Sequence, residues 1–241
     1  MIDWFRRRFR FTLVPTLFTV PSLIVLIGLG TWQVERLQWK TGLIAERVAA
    51  LSAAPVAAPA TADEAAGLDF HRVTVIGTFD HGRELYIWAE DERGVAGFQV
   101  VTPLTLEDGG ILLVNRGFVP DARKNPATRA AGQAAGTVEI DGILRIARKP
   151  IGWLVPSNQP AEHFWVYVDP PAMATAMGLD PARLRPYFVE AGPKPNPGGL
   201  PVGGQTRIQL PNDHLQYAIT WYGFAVTLLV IYLVYHYRKP E

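Results

Sequence analysis

The sequence contains no cysteine. That absence removes disulfides, iron–sulfur clusters, thiolate zinc sites and cysteine nucleophiles together. It also removes the dithiol suited to delivering Cu(I), a soft ion that selects Cys and Met. Methionine is scarce: Met1, Met173 and Met177. The last two, four residues apart, are placed to pack one face of a short helix. Charged residues make up only 19%, below the roughly 25% of soluble domains. A net charge of +1 supplies no global field for nucleic acid. Serine occurs only at Ser22, Ser52 and Ser157, none of them in a G-x-S-x-G elbow. Fingerprints for metalloproteases, phosphate-binding loops and dinucleotides are missing too. No catalytic constellation is offered, and an enzyme is not expected.

Two long uncharged runs are present instead. Residues 11–34 and residues 215–235 carry no Asp, Glu, Lys or Arg, and about 20 apolar helical residues cross a bilayer core of ~30 Å. Pro15 is tolerable near the start of the first run, whereas Pro21 predicts a kink. Arg6, Arg7, Arg8 and Arg10 resemble the basic start of a signal peptide, but Gly30-Thr31-Trp32-Gln33-Val34-Glu35 follows without a small-x-small cleavage site. An uncleaved anchor is expected. These arginines, with Arg238 and Lys239 after the second run, keep both ends inside by the positive-inside rule. Neither run has an ionisable residue deep within it, which argues against a pump. The expected division is a cytoplasmic basic N-terminus (1–10), transmembrane helix 1 (11–34), a periplasmic helix extension and β-rich domain (35–211), transmembrane helix 2 (212–235) and a cytoplasmic C-terminus (236–241).

Between the runs the hydrophobic period changes. Leu37, Ile44, Val48 and Leu51 recur at helical spacing, so the first helix continues past the membrane to about Leu51. Residues 53–66, rich in Ala and Pro, read as a linker. Val73, Val75, Gly77 and Phe79 then alternate with polar neighbours, and Asp80-His81-Gly82 closes a turn before a strand over residues 84–89. Residues 97–106 and 111–119 form a further pair, joined by Glu107-Asp108-Gly109-Gly110 with its Asp-Gly turn signal. Val138, Ile140, Gly142 and Leu144 alternate cleanly, and residues 164–168 and 184–189 supply more strands. Residues 170–178 predict a short helix with Pro at its start and Gly at its end. Residues 191–204, dense in Pro and Gly, lead back to the membrane. The fold class is therefore an α+β membrane protein, two transmembrane helices forming a hairpin around a mostly antiparallel β extracytoplasmic domain.

Chemistry is sparse in this domain. Glu90-Asp91-Glu92 reads as the cap of a solvated loop, and His71, His81 and His163 read as ordinary surface or edge residues. His236 reads as an interfacial anchor of helix 2. His214 differs because it stands at the outer start of that helix. Asp213 and Gln216 resemble a capping box there. At about 100° per residue, His214, Tyr217, Trp221, Phe224 and Leu228 share one face. An imidazole above an aromatic stripe suits a metalloporphyrin, with His214 as the iron ligand and the rings packing on the macrocycle. On helix 1, Trp32, Arg36 and Trp39 share a face near the same interface, and Arg36 suits a haem propionate. The competing reading needs no ligand, since Trp and Tyr gather at membrane interfaces for their amphipathic rings alone.

At these residues the chain resembles the Surfeit locus protein 1 family of cytochrome oxidase assembly factors. Four blocks carry the resemblance: Gly30-Thr31-Trp32-Gln33-Val34-Glu35-Arg36 ending in Lys40; Val75-Ile76-Gly77-Thr78-Phe79-Asp80; the stretch 97–104 leading to Val114-Asn115-Arg116-Gly117-Phe118-Val119-Pro120; and Asn212-Asp213-His214-Leu215-Gln216-Tyr217-Ala218-Ile219-Thr220-Trp221-Tyr222. Phe118 stands where the family more often has Trp, and Asp213 where Asn is common. The resemblance implies help in maturing a haem–copper terminal oxidase, by receiving haem a and assisting its insertion into the largest subunit. A non-haem-binding scaffold that stabilises that subunit is the alternative. The family histidine proposed to contact haem falls on His214. Expected partners are the oxidase subunit, the lipid bilayer and in principle a haem a synthase, with no nucleic acid. The short arginine-rich start, without a long transit peptide, points to a bacterial plasma (inner) membrane.

Overall fold

The computed structural model describes residues 9, 11–91, 93–150, 152, 156–206 and 210–237. In chain order the elements are α1 (Leu13–Ser52), β1 (Val56–Ala57), α2 (Ala62–Ala65), β2 (Arg72–Phe79), β3 (Leu85–Glu90), β4 (Ala96–Leu106), β5 (Ile111–Pro120), β6 (Thr137–Arg145), α3 (Pro170–Met177), β7 (Leu184–Ala191) and α4 (His214–His236), with short 3₁₀ turns between them. The chain divides into two units, Met1–Glu46 with Gln209–Glu241, and Arg47–Ile208.

Both helices of the first unit are long and apolar enough to cross a membrane. At 40 residues α1 is roughly 60 Å long at 1.5 Å per residue, about twice a bilayer core. It therefore continues beyond any single crossing, as the helical spacing of Leu37 to Leu51 predicts. The helix assignment is unbroken through Pro21.

The second unit is built on a seven-stranded sheet in the order β1-β2-β6-β7-β5-β4-β3, with β2 also pairing with β4. That extra pairing joins Gly77 to Leu106 and Phe79 to Leu104 and closes β2, β6, β7, β5 and β4 into a barrel. Closure removes the free edges that an open sheet would expose. All pairings are antiparallel except β1 with β2 and β5 with β7. Inward residues of every barrel strand meet in one core: Val73 and Val75, Leu104, Leu112 and Val114, Leu144, and Tyr187 with Val189. The opposite face of the sheet is sealed by α3, which sets Met173 and Met177 against Leu113, Phe188 and Trp165. Lying between the two cores, β5 is buried at nine consecutive positions, so its sequence does not alternate as a half-exposed strand does: it is apolar on both faces except at Asn115-Arg116.

Turn chemistry matches the sequence in detail. Asp169 caps α3 by accepting the Ala172 N–H, and Gly178 ends it in the left-handed conformation. The β4–β5 hairpin turns at Gly109, φ +82°. Asp91 accepts the N–H groups of Arg93 and Val95, as a loop cap does, while Glu92 lies outside the described residues.

Two expectations fail. The stretch 53–66 is no linker. Val56 pairs with Val73, Ala65 is buried, and Tyr187 Oη donates to the Pro59 carbonyl at 2.8 Å. Burial pushes that phenol up to about 12. Residues 164–168 are apolar enough for a strand but make only isolated bridges, Ile87 with Trp165 and Gln159 with Phe164. The Asn158 side chain takes the pairing partners' place: its Oδ1 accepts from Val166 and Tyr167, and its Nδ2 donates to the Tyr167 carbonyl. What the apolar signal marks is Trp165, 1% exposed and sunk into the core.

Gly117 gives a test of the barrel's outer seam. Its φ is +111°, and an added Cβ would meet the Val202 carbonyl beside the Phe118–Val202 bridge. Gly117→Ala is expected to destabilise the protein by about 1–3 kcal/mol, measured by denaturant unfolding of the full chain in detergent. A midpoint equal to the parent's contradicts this account of the seam.

Candidate functional site

The two long helices pack antiparallel through small and polar groups. Gly30 lies so close to Tyr222 that a Cβ would stand 2.7 Å from its ring, and Ala218 and Ala225 are buried in the same contact face of α4. Side chains then join the helices along their length: Thr12 with His236 (2.7 Å), Thr16 with Tyr232 (2.8 Å), Thr31 with Tyr222 (3.1 Å), Gln33 with His214 (2.6 Å) and Thr41 with Asn212 (3.3 Å). Small residues and cross-helix hydrogen bonds are what associates helices in lipid, where apolar surface gives no driving force.

His214 stands at the start of α4 and is half-buried. Its Nδ1 faces Gln33 Oε1. An amide oxygen only accepts, so Nδ1 carries the hydrogen, and in the neutral ring the lone pair is on Nε2. No hydrogen bond among the described residues engages Nε2. His236, at the other end of α4, is the contrast: Nδ1 donates to the Tyr232 carbonyl and Nε2 meets the Thr12 hydroxyl. That ring also stacks on Phe9. Both of its nitrogens are used.

The stripe expected below His214 divides. His214 turns toward α1, whereas Tyr217 and Phe224 are each 55% exposed and flank the helix contact. Trp221 meets Phe224 edge-to-face at 6.2 Å. Trp32 is exposed one residue before Gln33. Arg36 lies 4.0 Å over the Trp39 ring, which joins two of the three residues expected on that face. The fold thus joins His214 to Gln33, Trp221 to Phe224 and Arg36 to Trp39. Among the described residues, no hydrogen bond or ring contact joins Arg36 or Trp32 to His214. The capping box does not form either, since Asp213 stands at the N-cap without a side-chain bond.

A second concentration of charge, unforeseen from sequence, lies inside the barrel domain. Glu84, side chain 1% exposed, sits between Arg129 (2.5 Å) and Arg116 (3.2 Å), both equally enclosed. Arg116 also donates to the Gly132 carbonyl, and Arg129 to the Arg123 carbonyl and the Tyr86 hydroxyl. His81 belongs to the same cluster and is no ordinary surface residue. Its Nε2 faces the Ala134 carbonyl at 3.1 Å and its Nδ1 faces Arg116 at 3.3 Å. Burial alone raises the Glu84 carboxyl, but the hydrogen bond and charge of Arg129, then the charge of Arg116, outweigh it and hold Glu84 below its usual 4.5. Burial, then the Glu84 charge, raises the Tyr86 phenol. The signal available in sequence was the pair Asn115-Arg116 interrupting an otherwise apolar strand. Every charge here has a partner, which marks the cluster as a fastening of the domain.

A closed β-domain and a polar-laced pair of helices able to span a bilayer define a membrane protein of the α+β class. A model of the SURF1 family matches residues 21–226. Surfeit locus protein 1 of Rattus norvegicus is 44% identical over 213 residues, covering 81% of this chain and 67% of that one. The Homo sapiens protein of the same name is 41% identical over 220 residues, 84% and 71%. The SURF1-like protein of Monosiga brevicollis is 40% identical over 228 residues, 90% and 85%. The chain belongs to the SURF1 family.

The Glu84 cluster predicts a pH signature. Because the folded carboxyl is depressed, its stabilisation is complete above the unfolded value and is lost as pH falls through the folded one. Glu84→Gln should cost about 3–5 kcal/mol near neutrality, as removal of one partner of a buried ion pair does. The gap between parent and variant should narrow below about pH 4. Unfolding midpoints across pH test both parts, and a gap that is constant with pH rejects the ionic account.

Proposed function

We propose that this protein is a membrane-bound carrier for haem a, holding it at the His214 end of the helix pair for insertion into the largest subunit of a haem–copper terminal oxidase. The reading makes it an assembly factor without catalysis of its own. Its main support is the Gln33–His214 hydrogen bond at 2.6 Å. A metal-bound histidine needs a neutral ring, an available nitrogen and a fixed orientation, normally set by donating its other N–H to an oxygen. Gln33 provides that acceptor and leaves Nε2 available.

Haem, when bound, would supply an iron for which His214 Nε2 would be the protein's donor. Residues of this chain would do the rest. Tyr217 and Trp221 present aromatic surface beside His214, Trp32 adds more from α1, and Arg36 offers a guanidinium for a propionate. The delivery partner follows from the family, and a haem a synthase is the natural donor. Arg6, Arg7, Arg8 and Arg10 before α1 favour both termini on the inner side of the membrane and the domain on its far side.

One observation favours a second reading. The His214–Gln33 contact is also one of five side-chain links between the helices among the described residues, and packing alone accounts for it. On that reading the protein is a scaffold that holds the oxidase subunit without touching haem.

Haem content per protein, from cells that make haem a, separates the two. His214→Ala should abolish the haem spectrum with the fold and membrane insertion retained. Gln33→Leu should keep the ligand but weaken retention by roughly 10–100-fold, as loss of an outer-shell partner does. Trp221→Ala and Arg36→Ala should have smaller effects. Full haem in His214→Ala rejects this ligand. A haem-free parent that copurifies with the oxidase subunit establishes the scaffold.

Topology is tested separately with reporter fusions. Fusions at residues 5 and 240 should report inside, and one at residue 100 outside. An outside C-terminus overturns the orientation.

A further inference from the structure

One cavity of the barrel domain, of about 190 Å³, is walled by Arg47, Arg145 and Arg148 together with Asp69 and Phe70. Val168 and Phe188 give it an apolar side. The charges do not balance. Arg145 bonds Asp69 at 3.1 Å and Glu190 at 3.2 Å, and Arg148 bonds Asp69 at 3.2 Å. Asp69 also accepts the Ile146 N–H. Three guanidinium groups thus face two carboxylates, and both carboxylates are committed. Arg47 has no ion pair among the described residues, and its Nε is enclosed without a hydrogen-bond partner. Enclosed donors in folded proteins nearly always have a partner, so this N–H calls for one that the described residues do not supply.

The site is also held in shape. The Phe70 ring has the Arg145 guanidinium 4.0 Å from its centre and that of Arg47 at 4.5 Å. Phe70 itself adopts φ +68°, a left-handed conformation that is costly for a bulky side chain and clusters at ligand-binding positions. Guanidinium forks match oxyanions bidentately. At 190 Å³ the cavity falls below the roughly 300–1,000 Å³ of pockets for drug-sized ligands, so it fits a headgroup and not a macrocycle.

We propose that this arginine-walled cavity binds a phosphate oxyanion, with Arg47 as its unpaired cation. The phosphate comes either from a free anion or from an acidic lipid headgroup whose first carbons meet the apolar side. The site is independent of His214 and of any haem reading.

Calorimetric titration of the full chain in neutral detergent at low salt tests this with two probes, inorganic phosphate and dioctanoyl phosphatidic acid. Saturable binding of inorganic phosphate identifies a free-anion site. Binding of the phosphatidic acid alone identifies a headgroup site. In either case Arg47→Gln should weaken binding by roughly tenfold or more, the loss expected for a charge-assisted contact, and added salt should weaken it further. Should Arg47→Gln unfold the domain, Arg148→Gln, whose side chain is 74% exposed in the parent, gives the same comparison in a folded protein. The proposal is overturned if the parent binds neither probe, or if the folded variants bind like the parent.

Discussion

A carboxylate can be buried only if the structure around it replaces water, and much of the barrel domain is arranged around one that is. Removing Glu84 from solvent costs several kcal/mol even after relaxation. Arg116 and Arg129 offset that cost only while both remain in place. Arg116 comes from the middle of β5, but Arg129 comes from the 3₁₀ segment Pro126–Gly132, which has little apolar surface to hold it. The ion pair therefore orders a connection that hydrophobic burial alone would leave loose. Through Arg116 the same cluster reaches the carbonyl of Gly132 and the side chain of Asn196. It ties the start of β3, the centre of β5 and two long connections to a single point. Two guanidiniums against one carboxylate leave an excess positive charge, which the carbonyls of Gly132, Arg123 and Lys124 help to solvate.

The helix pair obeys a different constraint with the same logic. Hydrocarbon offers no hydrogen bonds, so a polar side chain on a spanning helix must find a partner on the same helix or on its neighbour. Thr12 just before α1 and Thr16, Thr31, Gln33 and Thr41 on it meet, in that order, His236, Tyr232, Tyr222 and His214 on α4 and Asn212 just before it. Sequence numbers rise on one helix as they fall on the other, as an antiparallel pair requires. With Gly30 admitting the Tyr222 ring, these contacts fix register as well as association, because a slip by one turn would leave several of the partners facing methylene groups. Fixing the register also fixes the His214 tautomer.

How much of this was legible depends on whether the signal is local. Strand alternation is local, and β2 to β7 fall within a residue or two of their expected bounds. The cap at Asp169 and the turn at Gly109 are local as well, and both are present. Residues 53–66 and 164–168 fail for opposite reasons. Ala and Pro gave the first no periodicity, yet the groove beside Val73 and Tyr187 captures it. The second had strand composition, but the Asn158 side chain satisfies its backbone from outside. Charge pairing is the least legible, since Glu84, Arg116 and Arg129 are separated by 32 and 45 residues from Glu84 to each arginine. Nothing in the sequence relates them until the barrel closes. Helical spacing put His214 and Trp221 on one face of α4, but such spacing gives directions around one helix only. It did not contain Gln33, whose position opposite His214 is a property of the pair.

Counting used hydrogen-bonding capacity separates structural polar groups from those with capacity to spare. Arg116 and Arg129 have both terminal nitrogens engaged, and His236 has both ring nitrogens engaged. Such groups have nothing left to offer a ligand without first breaking a contact that holds the fold. His214 has one nitrogen anchored and one not, the condition under which an imidazole can take a metal without loss of stability. Among the described residues, Arg47 has a charge without a counter-charge and an enclosed N–H without an acceptor. In both cases the protein has ordered the group and left the final interaction unmade. A ligand arriving at either position meets an oriented partner and little reorganisation, the preorganisation that converts contacts into affinity.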